Sequence, residues 1–291
     1  MKWDPGHESP DVIDKRGEGG GPMRMGGGLL MLLPLLLRSK WGWAILAVLA
    51  GLWFFGAFNG GSSSDAPSAK GGGPAQVNGK PGDQAHFVGF VLDDTQDTWR
   101  KIFSERGDKY QDAKLVLYTN ATNTGCGYGD AATGPFYCPN DQRVYIDLGF
   151  FKELETKLGA QGDFAKAYVV AHEIGHHIQK LTGINDKASG ASGPSKGATG
   201  TSVRLELQAD CYAGIWAHST SERGILENGD IEQAITAATA IGDDRLQKQS
   251  SGTVQPEKWT HGSSEERVRW FKKGYDSGKV PDCDTFSASS L

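Results

Sequence analysis

Between Gly162 and Leu181 the chain reads GDFAKAYVVAHEIGHHIQKL, in which His172, Glu173 and His176 form an H-E-x-x-H pattern. Residues four apart on an α-helix lie about 40° apart around the axis and one turn apart along it. His172 and His176 can therefore aim their imidazoles at one point, with Glu173 beside them. Two neutral imidazoles and a neighbouring carboxylate suit a catalytic Zn²⁺, supplying two ligands and a general base for its water. A hydrolytic zinc takes a third protein ligand and keeps one position open. The stretch RLELQADCYAG offers Glu206 and Asp210, four apart and so on one helical face. Glu206 can be the third ligand, while Asp210, one turn on, can hydrogen-bond a ligand histidine and fix its tautomer. The expected site is one Zn²⁺ per chain on His172, His176 and Glu206, with Glu173 catalytic and Asp210 behind the ligands.

The elements that must carry these residues can be read from periodicity. Ala165, Ala167, Ala171, Gln179 and Lys180 favour a helix around the histidines, and Asp163 is placed to cap it. Glu206 and Asp210 fall on a helix expected at Thr201–Thr220. Others are expected at Phe87–Arg106, from Phe150 to Leu158, at Asp230–Lys248 and at Ser263–Ser277, the last capped by Ser263 or Ser264. Strands are expected at Ala113–Tyr118 and Gln142–Leu148, the second alternating Val144 and Ile146 against Tyr145 and Asp147. Its edge could pair with an extended peptide. Gly183–Gly200 reads as a long Gly/Ser/Ala loop. Mostly helices around a small sheet makes the fold class α+β.

The 291-residue chain carries a net charge of −5 and no basic stripe, which excludes a nucleic-acid partner on charge. Many of its 41 glycines fall in the first 82 residues, and residues 1–28 read as disordered. Leu29–Leu37, interrupted by Pro34, is too short to span a bilayer. Trp41–Phe58 is uncharged, ends in aromatic residues and follows Arg38 and Lys40, as a spanning helix with a cytoplasmic N-terminus would. The chain then divides into a disordered cytoplasmic tail (1–40), one transmembrane helix (41–58), a flexible linker (59–83) and an extracytoplasmic domain (84–291).

HEIGHHIQ followed by ELQADCYAG resembles the gluzincin pattern, in which a downstream Glu completes the zinc site and an Asp one turn later supports it. KWDPGHESPDVIDKRG, GPFYCPNDQRVYIDLGFF, THGSSEERVRWF and the closing CDTF extend the likeness over nearly the whole chain. Together they resemble the bacterial putative neutral zinc metallopeptidase (YpfJ-like) family. The resemblance implies a membrane-associated zinc peptidase acting on peptide or protein substrates. Such sites often use a histidine downstream of the third ligand to stabilise the tetrahedral oxyanion. His261 takes that role here, with Arg267 the runner-up or a partner for Glu206 or Asp210. His177 and His218 point away from the ligand faces, and His7 and His86 lie in or near segments read as flexible. Outside the cytosol the four cysteines read as two disulfides. Cys126–Cys138 would close a local loop and Cys211–Cys283 would tie the tail to the Glu206 helix; the sequence leaves the other connectivities open. The rival reading is an envelope zinc-binding adaptor without turnover, against which Glu173 stands.

Overall fold

The structure, a computed structural model, describes residues 1–17, 80, 83–190 and 193–291. The apolar runs at 29–37 and 41–58, and all but residues 80 and 83 of the expected linker, lie outside these. Among the described residues no helix is long and apolar enough to cross a membrane.

Four short strands form the main sheet in the spatial order β1 (Val12–Asp14), β2 (Lys114–Tyr118), β6 (Arg143–Asp147) and β5 (Phe136–Cys138). Only β5 runs antiparallel to its neighbour. Side chains alternate faces along a strand. Leu115, Leu117, Val144 and Ile146 enter the main core, whereas Val116, Tyr118 and Tyr145 form a small cluster with Cys138 on the other face. The expected loop between Cys126 and Cys138 holds β4 (Gly127–Asp130), which pairs with β3 (Ala121–Thr124), as well as β5. One expectation is corrected here. β6 is internal, with both edges taken by β2 and β5, so it has none to offer a peptide. The sheet ends at β5 instead.

The helices are α1 (Gln84–Glu105), α2 (Gly149–Thr156), α3 (Asp163–Leu181), α4 (Ile184–Ser189), α5 (Thr201–Glu222), α6 (Asp230–Ala240), α7 (Asp243–Ser251) and α8 (Ser264–Ser277). A helix buried on nearly all sides belongs at the centre of a core. α3 is that helix, buried from Phe164 to Gln179 except at His176, and packed by α1, α5 and α6. Asp163 begins α3 without capping it. Gly162 occupies the cap position, and Gln233 of α6 accepts the Phe164 N–H at 2.9 Å. α8 lies along α5 so closely that a Cβ on Gly274 would come within 1.9 Å of the Cys211 carbonyl oxygen. Its start is a capping box, with Ser263 accepting from Glu266 N–H and Glu266 from Ser263 N–H. The single helix expected over Asp230–Lys248 breaks at Ile241–Gly242 into α6 and α7, and α4 opens the stretch expected to be loop.

The disorder expected for residues 1–28 does not hold for residues 1–17, which fold with the domain. β1 joins the sheet parallel to β2, with Val12 opposite Leu115 and Asp14 opposite Leu117. Ahead of it Trp3 packs edge-on against Phe87, with 5.2 Å between ring centroids, and the Met1 amine reaches Asp230 at 3.0 Å. Periodicity missed this segment because backbone pairing and side-chain hydrogen bonds hold it, rather than an apolar stripe.

Two disulfides join Cys126 to Cys138 and Cys211 to Cys283, with Cα–Cα distances of 5.8 and 5.6 Å. Their presence fits an oxidising, extracytoplasmic compartment. The second closes a separation of 72 residues between α5 and the C-terminal tail. Chain-entropy arithmetic gives a loop of that size about 4 kcal/mol, an upper figure. Cys283→Ser is therefore expected to lower the melting temperature more than Cys126→Ser, whose sequence separation of 12 gives about 3 kcal/mol by the same arithmetic. Thermal melts of the two variants, with non-reducing peptide mapping, check this.

Candidate metal centre

The close approach of α3 and α5 builds the site. Gly175 stands where the helices touch, and a Cβ there would lie 2.9 Å from both Cα and O of Ala209. That contact sets the histidines of α3 against the carboxylates of α5. His172 Nε2 is 3.1 Å from Glu206 Oε2, and His176 Nε2 is 3.4 Å from Glu206 Oε1. One ligand atom from each of His172, His176 and Glu206 can be chosen so that all lie within 4.8 Å of one another. Tetrahedral zinc with bonds near 2.0–2.1 Å sets its ligand atoms roughly 3.3 Å apart. The spacing therefore fits such an ion.

The other ring nitrogens are held. His172 Nδ1 lies 2.8 Å from Asp210 Oδ1, and His176 Nδ1 lies 2.9 Å from Gln179 Oε1. Each Nδ1 donating its proton to these acceptors leaves each Nε2 lone pair free for a metal. Gln179 was not singled out from the sequence. It is a buried amide one turn beyond His176, and its Nε2 donates to the Leu205 carbonyl at 2.6 Å, coupling the α3 ligand to the α5 backbone. Asp210 is wholly buried and held in turn. Arg267 donates to it through Nε at 2.8 Å and Nη2 at 2.9 Å, and the Tyr168 hydroxyl donates to its Oδ1. Arg267 thus pairs with Asp210.

Charge follows the geometry. Before a metal binds, when the Nε2 atoms carry protons, burial would raise Glu206, but the charge of His176 and hydrogen bonds from both histidines hold it well below the usual carboxylate range. Burial pushes Glu173 up, and the nearby histidines only partly offset this. A carboxyl raised in this way is better matched to proton transfer near neutral pH.

A cleft of about 580 Å³ opens over these groups. Phe136 and Tyr137 of β5, Phe150, His261 and Arg267 share its walls with His172, Glu173, His176 and Glu206. His261, from the turn before α8, is about half exposed, and its Nδ1 lies 3.1 Å from Asp243 Oδ1. Asp243 also accepts the backbone N–H groups of Thr260 (2.6 Å) and His261 (2.7 Å), which fixes the turn. The hydrogen bond to Asp243 lifts the His261 pKa despite partial desolvation. Sequence reading passed over Asp243 because it fell inside the single helix expected over Asp230–Lys248, with nothing local to tie it to His261.

The remaining histidines stay outside the centre. His177 is buried between the Tyr137 hydroxyl (3.0 Å) and the Gln111 carbonyl (2.6 Å), and His218 meets the Tyr275 carbonyl at 2.7 Å. His7 and His86 belong to folded structure, His7 against Asp93 at 2.8 Å and His86 buried in α1 with Nδ1 on the His7 carbonyl.

A family model described as "Putative neutral zinc metallopeptidase" matches residues 1–286. The chain belongs to that family. Escherichia coli (strain K12) YpfJ is 44% identical over 291 residues, covering 99% of this chain and all of the relative. A Mycobacterium tuberculosis (strain H37Rv) protein is 46% identical over 193 residues, 62% of this chain and 65% of its own. Both are described as uncharacterized proteins. No solved structure matches the chain. Family membership implies zinc, and the cluster of His172, His176 and Glu206 is a group able to take it.

Proposed function

We propose that this protein is an extracytoplasmic zinc metallopeptidase of the bacterial envelope, hydrolysing peptide bonds in peptide or protein substrates. The observation that carries the reading is three ligand atoms gathered beside a buried Glu173 in an open cleft. One Zn²⁺ per chain would be held by His172, His176 and Glu206. When bound, zinc lowers the pKa of a coordinated water to about 7 and polarises the scissile carbonyl. Glu173 takes the proton from the attacking water and returns it to the leaving amine. His261, turned by Asp243, donates to the oxyanion from across the cleft. The substrate backbone lies along β5, the strand at the sheet's end whose Phe136 and Tyr137 line the cleft. The catalytic domain comprises residues 84–291 with residues 1–17 folded onto it, and the apolar stretch 41–58 is the source of membrane association.

The test is hydrolysis of an unfolded protein by the purified, metal-loaded chain, with metal content measured alongside. Activity should vanish with a chelator and return with zinc. Glu206→Ala should lose zinc sharply; full zinc retention by that variant would mean that another side chain is the third ligand.

His261 gives a pH signature. Its raised pKa keeps it a donor to higher pH than an ordinary imidazole, so activity falls once pH passes that value. Asp243→Asn keeps an amide oxygen for the backbone donors of the turn but removes the carboxylate that raises His261. The alkaline limb of kcat/KM should therefore move to lower pH, while zinc content stays unchanged. An unmoved limb would remove His261 from the reaction.

A further inference from the structure

We infer that residues 1–17 and the metal-site domain lie on the same side of the membrane, so the apolar stretch between them is not a single crossing. The positive-inside reading of Arg38 and Lys40 places them on opposite sides. The folded contacts oppose that assignment.

β1 is bound to β2 by backbone pairing over three residues, continued on either side by Leu115 N–H to the Asp11 carbonyl and Lys15 N–H to the Leu117 carbonyl, at 2.9 and 2.8 Å. Paired strands lie about 4.8 Å apart, whereas the hydrocarbon core of a bilayer is about 30 Å thick. Contacts along the rest of the segment are specific. Asp93 of α1 takes His7 Nε2 at 2.8 Å and the Ser9 hydroxyl at 2.7 Å. Gln96 donates to Asp11 at 3.1 Å, and Lys114 pairs with the same carboxylate. Ser9 lies against Gly89, where a Cβ would come within 3.1 Å of the serine Cβ. Val12 is 2% exposed. A segment with partners of this kind at successive positions is a built part of the domain, and β2 without it would present an open edge. The family match begins at residue 1, so the segment belongs to what the family shares. A segment lent by a neighbouring copy of the same orientation would meet the same barrier.

The test uses the full-length chain in cells. All four cysteines are in disulfides, so introduced thiols can be read without background. Glu8→Cys and Lys152→Cys, both at exposed positions, are labelled separately with a membrane-impermeant maleimide, in intact spheroplasts and after lysis. The same pattern at both positions is expected. Labelling of both in spheroplasts supports the inference together with the extracytoplasmic placement. Labelling of both only after lysis supports the inference but overturns that placement. Labelling of Lys152→Cys in spheroplasts with Glu8→Cys reacting only after lysis overturns the inference. So does an intact mass showing that the mature chain lacks residues 1–17.

Discussion

Glu173→Gln is expected to cut peptide-bond hydrolysis by about 10²- to 10⁴-fold, the range that a positioned proton-transfer group supplies. Zinc content and melting temperature should stay close to the parent. Glu173 is 6% exposed, with its carboxyl raised by burial. Among the described residues it makes no ion pair that the amide would break, and Gln has nearly the same volume. The substitution therefore removes the proton acceptor and leaves the ligand cluster standing. KM should change little, because the interaction lost is one made in the transition state. Single-turnover kinetics on a chromogenic peptide library, with metal analysis of the same samples, make the measurement. Equal rates for parent and variant would instead favour a zinc-binding adaptor on this scaffold, since residual hydrolysis would then come from something other than the centre.

What the sequence made legible and what it hid have a common cause. The four-residue spacings of His172 with His176 and of Glu206 with Asp210 are properties of single helices, so local pattern sufficed to group them. That the two pairs face each other depends on a helix crossing. The one local sign of it is Gly175, whose missing side chain admits Ala209. Residues whose part depends on a distant stretch of chain were hidden in the same way. Gln179 reads as an ordinary helix former, and Asp243 as an acid inside the helix expected over Asp230–Lys248. Each acquires its part only when the chain returns to it, across 26 positions from Gln179 to Leu205 and 18 from Asp243 to His261. The N-terminal segment was the largest miss, because composition reports the apolar burial a segment can offer and β1 is held chiefly by backbone pairing. The change of peptide-pairing strand from β6 to β5 has a similar origin. Alternation identifies a strand, but only the neighbours on both sides decide whether it has a free edge.

Removing the carboxylate behind the ligands should give the largest loss of stability. Asp210 and Arg267 are a buried pair, 0% and 2% exposed, joined by two hydrogen bonds. Asp210→Ala leaves the guanidinium buried with no opposite charge against it, and breaking such a pair from one side costs about 3–5 kcal/mol. Measured on metal-free protein, so that lost zinc does not enter, the melting temperature should fall by roughly 10 °C for a domain of this size. The same variant frees His172 Nδ1 and should weaken zinc binding about 10- to 100-fold, as losing a ligand's hydrogen-bond partner does. The two effects separate in the double variant Asp210→Ala/Arg267→Met. There the unpaired charge is gone and an apolar chain fills its place, so most of the metal-free stability should return. Zinc affinity should stay low, because nothing has replaced the acceptor on His172. Recovery of both together would mean that Asp210 acts on the metal only through the fold. Recovery of neither would place the cost in lost packing around Tyr168, whose hydroxyl also bonds Asp210.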